Sequence, residues 1–232
     1  GDSAHDPFSK SAYGIPAQQD HPRTRIRMKI FTVVSSSHEP LVEQWLASLR
    51  SSEQFAEPYV IRLEIDGGTG DYGNEQWMDV NRAANQRVLE ILRVNKGKLI
   101  GLTGVDVRFF RPFTVEIGGR FALTGVDVMM QDERGDGKLF NPDVMFVRPN
   151  NQVVSAWEEW TRLMFQWDGN LPNQNRLMRD AFDQYDVRLA LLPLSFSNPV
   201  NGGANNNPIL FHANNIPPPN SVEKKVAALK AQ

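Results

Sequence analysis

Two aspartates stand where a parallel sheet presents groups to a ligand. Asp66 ends an alternating run, Tyr59, Ile61, Leu63 and Ile65, and precedes Gly67-Gly68. Asp106 lies near the end of a second apolar run, residues 98–107, in the triplet Gly104-Val105-Asp106. Open sheets of this kind bind ligands beyond the carboxyl ends of their strands, so both carboxylates are expected at a site. The sequence holds no cysteine. A metal would therefore have to sit on carboxylate, amide, carbonyl or imidazole. Hard and borderline divalent cations accept that set, and Mn2+ tolerates imidazole better than Mg2+ does. His5, His21 and His38 fall in the N-terminal arm or in predicted loops, whereas His212 follows the apolar run Ile209-Leu210-Phe211. His212 is either a second ligand or a histidine packed at a strand end. The plain alternative for Asp106 is a solvated carboxylate at the end of a strand.

The elements that would position these groups alternate in type. Arg25 to Ser35 reads as a buried first strand, with Ile26, Met28, Ile30 and then Phe31-Thr32-Val33-Val34. Glu39 to Ser51 places Leu41, Trp45, Leu46 and Leu49 on one helical face. Tyr59 to Asp66 is a second strand, and a Gly-rich loop runs on to Gly73. Asn74 to Asn95 is a helix with the stripe Trp77, Val80, Ala84, Val88, Ile91 and Leu92; Lys98 to Val107 is a third strand. Strand, helix, strand, helix, strand predicts a mostly parallel sheet covered by helices.

The second half is less regular. Short strands at Val126–Gln131 and Asp143–Val147 flank a polar turn, Asp132–Lys138. Helices are expected at Gln152–Trp167, Pro172–Phe182 and Ser221–Gln232, with a strand at Val187–Phe196 and an Asn/Gly/Pro loop at Asn198–Pro208. Asp132, Asp136, Gly137 and Asp143 match part of a calcium-binding helix–loop–helix pattern. Arg134 repels a cation at a ligand position and the flanks are strands, so the segment reads as a polar hairpin. The sequence Leu-Thr-Gly-Val-Asp-Val occurs at residues 102–107 and again at 123–128. Two copies do not make a repeat protein, and the echo reads as a coincidence of two apolar strands.

Composition sets bounds. A chain of 232 residues with 41% hydrophobic and 22% charged residues suits one α/β domain. The net charge of -2 supplies no basic excess for nucleic acid or an anionic membrane. No stretch approaches the ~20 apolar residues of a membrane span, and Gly1 to Gln19 lack a signal-peptide core. The expectation is a cytoplasmic protein, or a soluble domain trimmed from a longer chain.

Gly97 to Pro112, with Gly104-Val105-Asp106, resembles the metal-binding segment of nucleotide-diphospho-sugar transferases, the GT-A-type glycosyltransferases. Four further segments follow in that family's order. They are Asp127–Asp132, the run Phe140-Asn141-Pro142-Asp143 to Arg148, Asn173-Gln174 where the family has Asp-Gln, and Phe211-His212-Ala213-Asn214. The resemblance runs from about residue 28 to 215 and rests on the order of five motifs rather than on any one. It implies an α/β fold, a GT-A-like Rossmann-type mixed sheet flanked by helices. It implies an irregular arm at 1–24, one domain at 25–220 with a donor-nucleotide half (25–112) and an acceptor half (113–220), and a C-terminal helix at 221–232.

The resemblance also implies roles. Asp106 and His212 would bind Mn2+ or Mg2+. Thr32, Val33, Ser35, Asp66, Arg87, Gly104 and Val105 would contact a UDP- or GDP-sugar donor. Asn141, Asn173 and Gln174 would face the reacting sugar. The acceptor would be a glycan, a protein or a small molecule, with no nucleic acid and no membrane span. The chain would be a retaining, metal-dependent hexosyl- or pentosyltransferase. The family's Asp-x-Asp begins here with Gly104, which removes one polar contact; Glu116 and Asp127 are the side chains available to replace it. Gly104 and Asn173, each where the family has Asp, keep open a non-catalytic nucleotide-sugar or glycan-binding module, and a metal-dependent hydrolase of nucleotide sugars is a third reading.

Overall fold

The computed structural model describes residues 27–69, 75–135, 140–167, 174–197, 207–214, 216 and 219–232. The N-terminal arm, the Gly-rich loop from 70 to 74, Asn173 and most of the 198–208 loop lie outside the described residues.

Six strands form the main sheet, in the order β2-β1-β3-β6-β5-β7. They are β1 (Met28–Val34), β2 (Ala56–Arg62), β3 (Ile100–Thr103), β5 (Val128–Asp132), β6 (Phe140–Val147) and β7 (Leu189–Leu191). β1 runs parallel to β2 and β3, and β5 runs parallel to β7. β6 is antiparallel to both of its neighbours, which makes the sheet mixed. The sequence period of two divides β1 between two cores. Ile30 and Val34 face α1 (Val42–Ser52), where Trp45 and Leu49 are fully buried. Phe31 faces the layer of α2 (Glu75–Val94), α4 (Asn151–Gln166) and α5 (Gln174–Gln184), in one cluster with Leu92, Trp157, Trp160 and Phe182. Burial on both faces gives β1 its continuous apolar run.

The structure shifts several predicted boundaries. β2 begins at Ala56, earlier than the alternation suggests, and carries Pro58 inside it. A strand proline is tolerated at a sheet edge, where no partner needs its missing N–H, and β2 is the edge strand. The predicted strand 98–107 breaks at Gly104. Its N–H bonds Asp143 O at 2.5 Å, and the chain turns into β4 (Val107–Phe109). β4, β9 (Leu210–His212) and β8 (Phe196–Ser197) form a second, three-stranded sheet.

One helix has no counterpart in the sequence reading, α3 (Thr114–Thr124). Gly118 and Gly119 in its middle weaken local helical preference. Its start is held by a remote group instead. The buried Glu53 carboxylate accepts N–H bonds from Phe113 at 2.8 Å and Thr114 at 2.9 Å. A negative side chain there satisfies free amides and favours the helix dipole. α3 ends at Gly125, φ 64°, a left-handed cap that glycine adopts without strain. The second copy of Leu-Thr-Gly-Val-Asp-Val is thus a helix end, a cap and a strand start. The first copy is strand, turn and strand.

Candidate active site

The break after β3 places Asp106 in the turn leading to β4. Val107 pairs with His212 in the β4–β9 ladder, and Ala213 N donates to Asp106 O at 2.9 Å. Main-chain pairing therefore brings together two residues far apart in sequence. Their side chains meet: Asp106 Oδ1 lies 3.4 Å from His212 Nε2. A third residue joins them from α6 (Ser221–Ala231), with Lys225 Nζ 2.7 Å from Asp106 Oδ2. Asp106 and His212 are buried. A Cβ on Gly104 would meet Asp106 Oδ1 at 2.5 Å. The carboxylate thus folds back over the space that a side chain at 104 would take.

Gln131 orients the imidazole. Its Nε2 donates to Phe196 O at 2.8 Å and Ser197 O at 3.0 Å, which leaves Oε1 as acceptor for His212 Nδ1 at 2.9 Å. His212 Nδ1 is therefore the donor. The separation of 3.4 Å at Nε2 exceeds a normal hydrogen bond, so Nε2 has a charge beside it but no hydrogen-bond partner among the described residues. Burial works against every charge here, yet the ionic partners prevail. It raises the Asp106 carboxyl, but Lys225 and then His212 outweigh it and hold Asp106 well below the usual carboxylate range. Burial likewise opposes charge on His212 and Lys225, and Asp106 together with Asp143 outweighs it in each, so both are raised. His38, on the 3-10 helix Ser36–Leu41, is lowered by burial and then by repulsion from Lys225.

A second polar cluster borders the first. Glu133 accepts from Asn214 Nδ2 at 3.1 Å and from Asn141 Nδ2. Asn141 Oδ1 accepts from Asp143 N at 2.9 Å. Both ends of the Asn141 amide are engaged and buried, and they hold Glu133 and Asp143 N in place. Asp143 is exposed to solvent and lines the pocket, with protein crowded around its inner side. Burial pushes its carboxyl up, and His212 only partly offsets this. The open side limits that push, since water reaches the carboxylate. A pocket of about 110 Å³ runs from here beneath α2, lined by Val33, Asn81, Asn85, Gly104, Asp143 and Gln174 among others. It is smaller than the ~300–1,000 Å³ of a typical ligand site.

The predicted site residues divide. Val33, Gly104 and Gln174 line the pocket. Thr32 and Ser35 are buried at the end of β1, and Ser35 Oγ lies 3.0 Å from Ser37 Oγ. Asp66 is exposed and accepts from Gly68 N at 3.0 Å, making a local turn that packs through Gly67 on Ser35 and Ser37. Asp66 and Asp106 thus follow strands that flank β1, at one end of the sheet. Val105 turns into the core. Arg87 does not join the site: it is half exposed and paired with Glu90 at 2.8 Å. Asn81 and Asn85, on another face of α2, reach the pocket instead. Two amides at i and i+4 amid an apolar stripe were the available signal. Neither residue offered as a replacement for the missing Asp is near: Glu116 pairs with Arg120 on α3, and Asp127 pairs with Arg188. The sequence reading missed Gln131, Glu133, Asp143, Asn214 and Lys225 as members of the site.

This architecture can be set beside solved structures. The chain overlays the glycosyltransferase GlyE of Streptococcus pneumoniae TIGR4 with TM-score 0.59 and 10% identity, covering 87% of this chain and 59% of that one. A glycosyltransferase involved in glycosylation of the PBCV-1 major capsid gives 0.57 and 10%, covering 88% and 99%. The galactosyltransferase LgtC, solved with donor and acceptor sugar analogs, gives 0.53 and 10%, covering 88% and 96%. The fold is that of the GT-A-type glycosyltransferases. No family model matches the sequence, and no curated protein matches it. The chain spans 59% of GlyE, so likeness there concerns one part of a longer protein.

The resemblance implies a divalent cation at Asp106 and His212 of this GT-A fold. The buried, unbonded Nε2 of His212 suits a ligand. The rest of the donor set does not fit. Gly104 offers no carboxylate, and Lys225 already places a cation on Asp106. The described residues hold no group of three or more His, Cys, Asp or Glu able to bind a metal.

Proposed function

We propose that the chain transfers a glycosyl group from a UDP- or GDP-sugar to the hydroxyl of a glycan, protein or small-molecule acceptor. The observation that carries this reading is the Asp106–His212–Lys225 cluster beside Gly104 and the pocket, at the carboxyl ends of parallel strands in a GT-A fold. Ligands of open α/β sheets bind there. The pocket's size suits one part of a donor. Asn81, Asn85 and Gln174 offer amide donors and acceptors for base or sugar hydroxyls. In the reaction, the bond from the anomeric carbon to the diphosphate oxygen breaks with its electron pair on the diphosphate. The acceptor oxygen bonds that carbon, and its proton passes to the departing diphosphate. This requires no protein nucleophile and retains anomeric configuration if attack occurs on the face the diphosphate leaves. The protein's task is positioning and charge stabilisation.

Gly104 favours one second reading, a module that binds the nucleotide sugar without turnover. Incubation with UDP- and GDP-sugars, with release of the nucleotide diphosphate measured, separates the two. Transfer or slow release supports an enzyme. Binding without release supports the module. Neither binding nor release overturns both readings.

A further inference from the structure

Lys225 does not behave as a residue of a surface helix. The tail helix is docked: Leu229 and Ser221 are buried, and Arg108 Nη1 donates to Leu229 O at 2.7 Å. The Lys225 side chain is only 16% exposed, and its ammonium reaches Asp106 Oδ2 at 2.7 Å. An ammonium has three protons to donate. Asp106 is the single hydrogen-bonding partner of Lys225 among the described residues, with the Asp143 carboxylate a further charge nearby, so two protons remain for a ligand. The position matters as much as the charge. Asp106 is the one carboxylate left of the pair the resemblance calls for, and its Oδ1 fills the space over Gly104. Position 104 carries no carboxylate, and Asp106 holds a cation from its own chain, so the charge of Asp106 is neutralised within the protein.

We propose that Lys225 takes the place of the divalent cation, so that the diphosphate of the donor is received by a protein ammonium and binding needs no metal. This rests on the transferase reading above. The ammonium is held by Asp106 as a point charge able to meet two phosphate oxygens, as lysines do in other phosphate sites. α6 then becomes part of the donor site, and removal of the tail would take the ammonium from it and leave Asp106 without its cation.

The test is calorimetry of UDP and GDP with the full chain, in EDTA and again with Mn2+. Binding by at least one nucleotide should be equal in the two conditions within about twofold. Lys225→Met should weaken it by about tenfold or more in EDTA, and Lys225→Arg should retain much of it. Lys225→Gln is a second variant should Lys225→Met fold poorly, and melting without ligand separates lost folding from lost binding. Binding that appears only with Mn2+ would overturn the inference and leave the transferase reading standing. Undiminished binding in folded Lys225→Met and Lys225→Gln would do the same, assigning Lys225 a structural role. Binding of neither nucleotide in either condition would overturn the transferase reading and this inference with it.

Discussion

The six residues Leu-Thr-Gly-Val-Asp-Val occur twice, and the two aspartates have opposite fates. Asp106 follows the carboxyl end of β3, and Asp127 precedes the amino end of β5. β3 and β5 share the neighbour β6, antiparallel to both, so they point the same way and the aspartates sit at opposite ends of the sheet's strands. Asp127 is gripped by the Arg188 side chain and main chain and by Asn150 Nδ2, and the Arg188 side chain is 65% exposed. Asp106 is gripped by a lysine that is only 16% exposed and by a buried histidine. Identical local sequence thus makes a structural fork in one place and a candidate anion-receiving cluster in the other. What differs is the partner supplied by distant chain: Arg188 from solvent, Lys225 and His212 from the C-terminal segment.

Breaking each pair should expose that difference. Asp106→Asn strands the Lys225 ammonium in a poorly solvated place and should cost about 3 kcal/mol in urea unfolding. Asp127→Asn leaves Arg188 free to turn to water and should cost about 1 kcal/mol or less. Equal losses would mean that the two pairs play the same part. Gly104→Asp comes next. Its Cβ would press on Asp106 Oδ1 at 2.5 Å and add a second carboxylate. It should destabilise the apo protein by about 1–3 kcal/mol, and millimolar Mn2+ should recover part of the loss by binding the folded state. Stability unaffected by the variant would mean that the turn is more open than described. Glu53→Gln tests the remote cap of α3 and should cost about 1–2 kcal/mol, with no change in nucleotide binding.

The smallest effects are titrations. His212 is raised, so its contribution to stability is complete below the unfolded value of about 6.5 and fades as pH rises through its folded value. Asp106 is depressed, so its contribution is present above about 3.9 and fades as pH falls through its folded value. Together they favour folding most between about pH 4 and 6.5. In a histidine NMR titration, Asp106→Asn should lower the His212 midpoint. Lys225→Met, which removes a repulsion, should raise the midpoints of both His212 and His38. An unmoved His38 would place Lys225 elsewhere in solution.

The first half was legible because its elements are locally encoded. The apolar run of β1 and the stripe of α2 each declare a period, and the alternation gave the parallel sheet before any fold was named. Asp106 with His212 was legible only through the order of motifs. What stayed hidden depends on contacts across the chain. α3 carries two glycines and is capped by Glu53 from sixty residues away. Lys225 sits in an ordinary amphipathic tail, and nothing near it in sequence marks its partner. Arg87 illustrates the reverse: only the resemblance suggested a site role for it, and the helical phase turns it outward and brings Asn81 and Asn85 to the pocket.

The account turns on which copy of the repeated motif meets the ligand. Amide chemical-shift mapping with UDP and GDP, titrated to saturation, reads that location directly. The predicted shifts centre on Gly104, Asp143, Gln174 and Ala213, with Gly125, Asp127 and Arg188 unmoved. Shifts centred on Asp127, or none at Gly104 and Ala213 with nucleotide bound, would contradict it.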